Sequence, residues 1–163
     1  MTTSSLQDRV AIVTGAASGL GLATARRMVS EGARVAIADI DHARASAAAS
    51  DLGDAAIALD VDVSDEESVR RMVGAVVDRF GQIDIVHNNA AALGLDVLGR
   101  DGDVVDMDVE VWDRTMAVNL RGAIAVLGEL RPGRGQHRGP GALLLLRPIQ
   151  PDHRASVHAT QYL

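Results

Sequence analysis

The stretch Thr14-Gly15-Ala16-Ala17-Ser18-Gly19-Leu20-Gly21 places three glycines in eight residues at the join between two different periodicities. Before it, Arg9-Val10-Ala11-Ile12-Val13-Thr14 is short, β-branched and apolar, as a strand covered on both faces must be. After it, Leu22, Ala25 and Val29 recur at helical spacing until Gly32 stops the pattern. The glycines therefore fall in a strand-to-helix turn. Gly15 suits a tight turn, Gly19 a close approach of backbone to a diphosphate, and Gly21 close packing of helix on strand. Ser18, Leu20 and the other residues opening the helix bring free N–H groups to its positive end, where phosphates are expected to sit.

A second apolar run, Arg34 to Asp39, ends in an acid a little over twenty residues after the first glycine. At that position a carboxylate accepts hydrogen bonds from the ribose hydroxyls of an adenosine, with Ile40 beside it. The same charge repels a 2′-phosphate and no arginine follows directly, so NAD is expected over NADP. His42 to Leu52 is alanine-rich and helical, and Gly53 is its expected stop.

Ala55 to Val63 is a third strand broken near its end by Asp60 and Asp62. Two neighbouring acids invite a metal-site reading, but no third ligand lies at suitable spacing, so no metal is expected. Asp62 instead reads as a strand-end acid at the adenine edge, with Val63 packing on the ring. Ser64-Asp65-Glu66-Glu67 has the form of a capping box with Ser64 as cap. Val69, Met72, Val73, Val76, Val77 and Phe80 make the buried stripe of the helix it opens. Ile83 to Val86 begins a fourth strand that runs into His87-Asn88-Asn89-Ala90-Ala91, where His87 reads as a core residue.

Strands alternating with helices imply an α/β fold, a Rossmann-type doubly wound parallel sheet. In such sheets ligands lie outside the carboxyl ends of the strands, where Gly15, Asp39, Asp62, Asn89 and Ala90 all fall. One domain accounts for 163 residues, and the net charge of −6 gives no attraction to nucleic acid or to an anionic membrane. There is no cysteine, and no apolar run reaches membrane-spanning length, so a cytoplasmic protein is expected.

These motifs resemble the short-chain dehydrogenase/reductase family. The glycine turn is similar to its TGxxxGxG, Asp62-Val63 to its adenine-contacting pair, and Asn88-Asn89-Ala90-Ala91 to its NNAG segment with alanine in last place. Val111 to Leu120 is similar to the family helix that carries a catalytic asparagine, here Asn119. The resemblance covers roughly residues 6 to 128 and implies hydride transfer between NAD and a small alcohol or ketone. A methyltransferase, which also joins a glycine turn to an acid, lacks the asparagine segment. The family reaction needs a tyrosine acid/base whose pKa a lysine lowers, because a phenol near pH 10 is a poor base at neutrality. A serine positions the substrate oxygen. Leu93 to Met107 reads as a surface loop that borders substrate or only connects.

The tail is a different kind of sequence. Residues 129–163 carry all four prolines and a balance of +3, against −9 for residues 1–128, and the chain has no lysine. Residues 1–128 are expected to be the NAD-binding region, with 129–163 a divergent tail that forms no separate domain and supplies a fifth strand over 142–146. Pro148 stands where the family has serine, and Ser156 lies too near Tyr162 to replace it. Tyr162 takes the place of the catalytic tyrosine, and the lysine of Tyr-x-x-x-Lys does not follow. The expectation is a sheet truncated at its C-terminal side and an impaired oxidoreductase, with an out-of-frame tail as its cause. The alternative is a non-catalytic NAD-binding module. Family homo-oligomerisation would have to proceed without its usual packing helices.

Overall fold

In a computed structural model the fold is described for residues 6–94, 97, 100, 103 and 105–130, and for the strand at 143–146. Five parallel strands form one sheet: β1 (Val10–Thr14), β2 (Arg34–Asp39), β3 (Ala56–Asp60), β4 (Ile85–Asn88) and β5 (Leu143–Leu146). Their order is β3-β2-β1-β4-β5. The chain starts in the middle, winds outward through β2 to β3, then returns to the other side of β1 for β4. This is the doubly wound arrangement, and its switch point lies between β1 and β4.

Alternation along the strands divides the core in two. Val10 and Ile12 of β1, with Ala36 and Ala38 of β2, face α3 (Glu66–Phe80) and the long helix after β4. Ala11, Val13, Val35 and Ile37 face α1 (Gly19–Ser30) and α2 (His42–Leu52). Each fully buried valine or isoleucine stabilises the fold by about 1.5–3 kcal/mol relative to exposure. In the second layer the helices bury mostly small residues, Ala25, Ala45, Ala48 and Ala49, with Met28 beside them. On the first layer Val69, Met72, Val73, Val76 and Phe80 are buried as the stripe requires, with Val77 packed at its edge.

Two strands are shorter than the apolar runs suggest. β3 stops at Asp60 because its partner β2 ends at Asp39, the residue in register with it. One further bond, from Val61 N–H to Asp39 O at 3.0 Å, closes the ladder before the chain turns. β4 starts at Ile85 because Asp84, buried, accepts the Val10 N–H at 2.8 Å and pairs with Arg9 at 2.9 Å. The expected capping box is corrected as well. Asp65 is the N-cap of α3 and accepts the Glu67 N–H at 3.0 Å, while the Ser64 hydroxyl donates back to Asp62 at 2.6 Å. The ionised Asp62 carboxylate is the stronger acceptor and draws that hydroxyl away from the helix.

After β4, Val97 lies buried within the stretch read as a surface loop. The chain then runs helically through α4 (Val109–Met116), a π-helical turn (Ala117–Gly122) and α5 (Ala123–Glu129). Among the described residues no helix is long and apolar enough to cross a membrane.

Candidate nucleotide-binding site

Thr14, the last residue of β1, organises the turn that follows it. Its hydroxyl accepts the N–H of Asn89 at 3.0 Å and that of Ala90 at 3.1 Å. The Asn89 side-chain amide donates in return to Thr14 O and Gly15 O, both at 3.0 Å. The ends of β1 and β4, neighbours at the switch point, are thus joined by four hydrogen bonds.

This join explains two of the glycines. Gly15 has φ +64° and its backbone lies against Ala90, so a Cβ would stand 2.8 Å from Ala90 Cα. Gly21, on the first turn of α1, packs so closely that a Cβ would meet Gly15 O and come within 2.6 Å of Asn89 Nδ2. Gly19 differs: φ is +56°, and a Cβ there would meet nothing within 4 Å. Ser18, Gly19 and Leu20 are exposed.

The N-terminus of α1 is open to a ligand. Asp41, Asp65 and Asp108 cap α2, α3 and α4 with a carboxylate, whereas the Ser18 side chain makes no capping bond and no acid stands in the first turn of α1. The first bond of that helix runs from Leu22 N–H to Ser18 O at 3.1 Å, so the amides before it have no partner within the helix. Amide donors, the positive end of a twelve-residue helix and the space before Gly19 together fit a diphosphate.

Asp39 lies at the neighbouring strand end. Its two carboxylate oxygens accept the N–H of Ala17 at 2.9 Å and of Asp41 at 3.0 Å, which fixes the carboxylate beside the glycine turn. Ile40, next to it, is 62% exposed. Arg44, the first arginine beyond Asp39, is bonded to Asp41.

Asp62 follows β3. Its Oδ1 accepts both the N–H of Ser64 at 2.9 Å and the Ser64 hydroxyl. Burial pushes its carboxyl pKa up, but the Ser64 hydroxyl and amide and the charge of Arg114 outweigh this and hold it below the usual range. Val63 differs from the expectation of a ring contact by its side chain: it is buried in the core against Gly122, where a Cβ would come within 2.9 Å of Val63 Cγ2.

Asn119 sits in the π-helical turn, a local irregularity frequent at functional sites. Its Oδ1 accepts the Ala92 N–H at 2.8 Å, tying the segment after the two asparagines to the helix, and its buried Nδ2 has no partner among the described residues. Tyr162, Pro148 and Ser156 lie outside the described residues. The structure thus gathers Gly15, Ser18, Gly19, Leu20, Gly21, Asp39, Asn89 and Ala90 around one strand-helix join, with Asp62 beyond Asp39. Thr14 and Arg114 were missed. The lone threonine in the glycine motif was the available signal for the first, and Arg114 had none in the local sequence.

The sequence model of the family described as short chain dehydrogenase matches residues 9–140. The chain belongs to this family. Among curated proteins it is similar to sorbitol dehydrogenase of Cereibacter sphaeroides, 42% identical over 122 residues that cover 75% of the chain and 45% of that relative. It is 39% identical over 122 residues to galactitol 2-dehydrogenase of Agrobacterium fabrum, again covering 75% of the chain and 45% of the relative. The solved structure of 3-ketoacyl-(acyl-carrier-protein) reductase from Brucella melitensis complexed with NADH superposes with a TM-score of 0.72 at 38% identity. That match covers 78% of the chain and 51% of the reductase. The chain spans about half the length of these relatives.

Proposed function

We propose that the protein binds NAD and passes a hydride between it and a small alcohol or ketone. Asp39, pinned by two backbone amides beside the uncapped end of α1, is the observation that carries this reading. When bound, the nicotinamide supplies the carbon that accepts or returns the hydride. The chain's own residues do the rest. The amides of Ser18 to Gly21 hold the diphosphate, Asp39 accepts from the ribose hydroxyls, and Asp62 receives the adenine edge. Ile40 and Val63 flank that half of the site, Val63 through its backbone, and Asn89 and Ala90 border the other. Asn119 carries a buried amide donor near the segment that leads away from β4. Tyr162 is assigned the proton transfer to and from the substrate oxygen.

NAD is favoured over NADP because the Asp39 charge repels a 2′-phosphate and the nearest following arginine is engaged by Asp41. The relatives named for sorbitol and galactitol make secondary polyol carbons the first substrates to try. A cytoplasmic location fits this chemistry. The second reading, a non-catalytic NAD-binding module, is favoured by one observation: Pro148 stands where the family has the serine that positions the substrate oxygen.

Calorimetry with NADH and NADPH, paired with the NADH absorbance change over a panel of polyols and their ketones, tests both readings. Binding with turnover supports the oxidoreductase. Binding without turnover supports the module, and absence of binding overturns both.

A further inference from the structure

The turn Asp62-Val63-Ser64 is gripped from the far side by the helix that follows β4. Gly122 presses on the Val63 side chain and carbonyl, and Val118, one turn earlier, is buried in the same cluster as Val63. Two turns before Gly122, the exposed Arg114 sends Nη1 to the Ser64 hydroxyl oxygen at 3.4 Å, across fifty residues of sequence. The Ser64 hydroxyl donates its single proton to Asp62 Oδ1 at 2.6 Å. The three groups form a one-way chain, guanidinium to hydroxyl to carboxylate.

The direction of that chain has a chemical consequence. An N–H arriving at the serine oxygen occupies a lone pair, so the serine proton cannot turn toward Arg114 and remains on Asp62. The contact also polarises the hydroxyl, which strengthens its bond to the carboxylate. With the Ser64 amide already bound, Oδ1 holds two donors. No donor among the described residues reaches Oδ2, which is left as an acceptor for an incoming N–H.

We propose that Arg114 is a positioning residue for purine recognition, acting through Ser64 to hold Asp62 with Oδ2 turned to the amino group of adenine. The inference rests on the reading that the adenosine half of NAD lies at Asp39 and Asp62. It makes the site selective for a purine bearing a donor at carbon 6. Hypoxanthine, which has a carbonyl acceptor there, faces the carboxylate unfavourably.

The experiment compares, on the full chain, the dissociation constants of NADH and of reduced nicotinamide hypoxanthine dinucleotide by calorimetry. The two share diphosphate, riboses and nicotinamide, so their ratio isolates the purine edge. The wild-type chain is expected to prefer NADH by about tenfold or more, as a hydrogen bond to a charged group allows. Arg114→Met is expected to lower that ratio to roughly threefold or less, because the Ser64 hydroxyl is then free to turn away from the carboxylate it orients. Ser64→Ala should lower it similarly, and adding Arg114→Met to Ser64→Ala should change it no further. Arg114→Gln serves the same comparison if the methionine variant does not fold by circular dichroism.

An unchanged ratio in the Arg114 variants, even with weaker binding overall, would show a merely structural contact and overturn the proposal. A further drop in the double variant would overturn the route through Ser64. Equal wild-type affinity for the two dinucleotides overturns the proposal and leaves NAD binding intact. Failure of the wild-type chain to bind either removes the underlying reading as well.

Discussion

Asn89 donates two hydrogen bonds to Thr14 across seventy-five residues of sequence, its backbone N–H to the Thr14 hydroxyl and its side-chain amide to the Thr14 carbonyl. The same amide reaches Gly15 O, and the Ala90 N–H also donates to the Thr14 hydroxyl. This is the weld between β1 and β4. Asn89→Ala leaves two partly buried carbonyls without their donor and is expected to destabilise the fold by about 1–3 kcal/mol. Urea unfolding read by circular dichroism checks it; an unchanged midpoint would mean that water replaces the amide without loss.

The two glycines of α1 should fail differently. Gly21→Ala drives a methyl into Gly15 O and Asn89 Nδ2, both part of the weld, so folding and NADH binding are expected to fall together. Gly19→Ala meets no protein atom, and its φ of +56° costs only about 1–2 kcal/mol. Its methyl enters the space before the helix N-terminus, and NADH affinity is expected to drop by at least about tenfold, 1.4 kcal/mol. Thermal unfolding and calorimetry on both variants separate strain from obstruction.

Asp39→Asn keeps a side-chain acceptor for one of the two pinned amides but removes the charge. The ratio of NADPH to NADH dissociation constants is expected to fall by about tenfold or more, since the repulsion of the 2′-phosphate disappears. A ratio unmoved by the substitution would place selectivity elsewhere.

Acid should loosen the fold through Asp84. Burial raises its carboxyl pKa, but the Val10 amide, the Arg9 guanidinium and the Gln82 amide outweigh that effect and leave it lowered. Because the folded-state value lies below the unfolded one, the stabilisation is fully present above the unfolded pKa, about 4. It is lost as pH falls through the lower folded value. Asp62, lowered as well, acts in the same direction. Unfolding free energies measured from about pH 6 down to about pH 2 should decline, and Asp84→Asn should flatten that decline while lowering stability near neutrality.

The sheet was legible in the sequence because its signals are local. β2 spans the predicted run from Arg34 to Asp39, and the α3 stripe from Val69 to Phe80 packs as its spacing requires. The glycine turn and the strand-end acids were legible for the same reason, since each stands at a fixed offset from its own strand. What escaped depends on partners far along the chain. Thr14, marked only as the lone threonine of the glycine motif, makes its bonds to Asn89 and Ala90, and Arg114 reaches Ser64 across fifty residues with no signal in its own neighbours. The Ser64 cap failed by competition: a helix-opening pattern was correct in type, but an ionised acceptor two residues earlier took the hydroxyl and passed the cap to Asp65.

The order of the strands has a kinetic consequence. β1, β2 and β3 lie on consecutive βα units, yet β1 pairs on its other side with β4, in register from Ala11 with Ile85 to Val13 with His87. Loop closure over that distance must come before the reward of the contact, so this pairing belongs to the slow part of folding. On a ribosome the glycine turn would emerge long before the asparagines that fasten it. A dinucleotide that binds only the fastened form would then act as a folding ligand, contributing about 2.7 kcal/mol at a hundredfold excess over its dissociation constant. Under the proposed NAD binding, supply of the dinucleotide would set how much of the newly made chain survives.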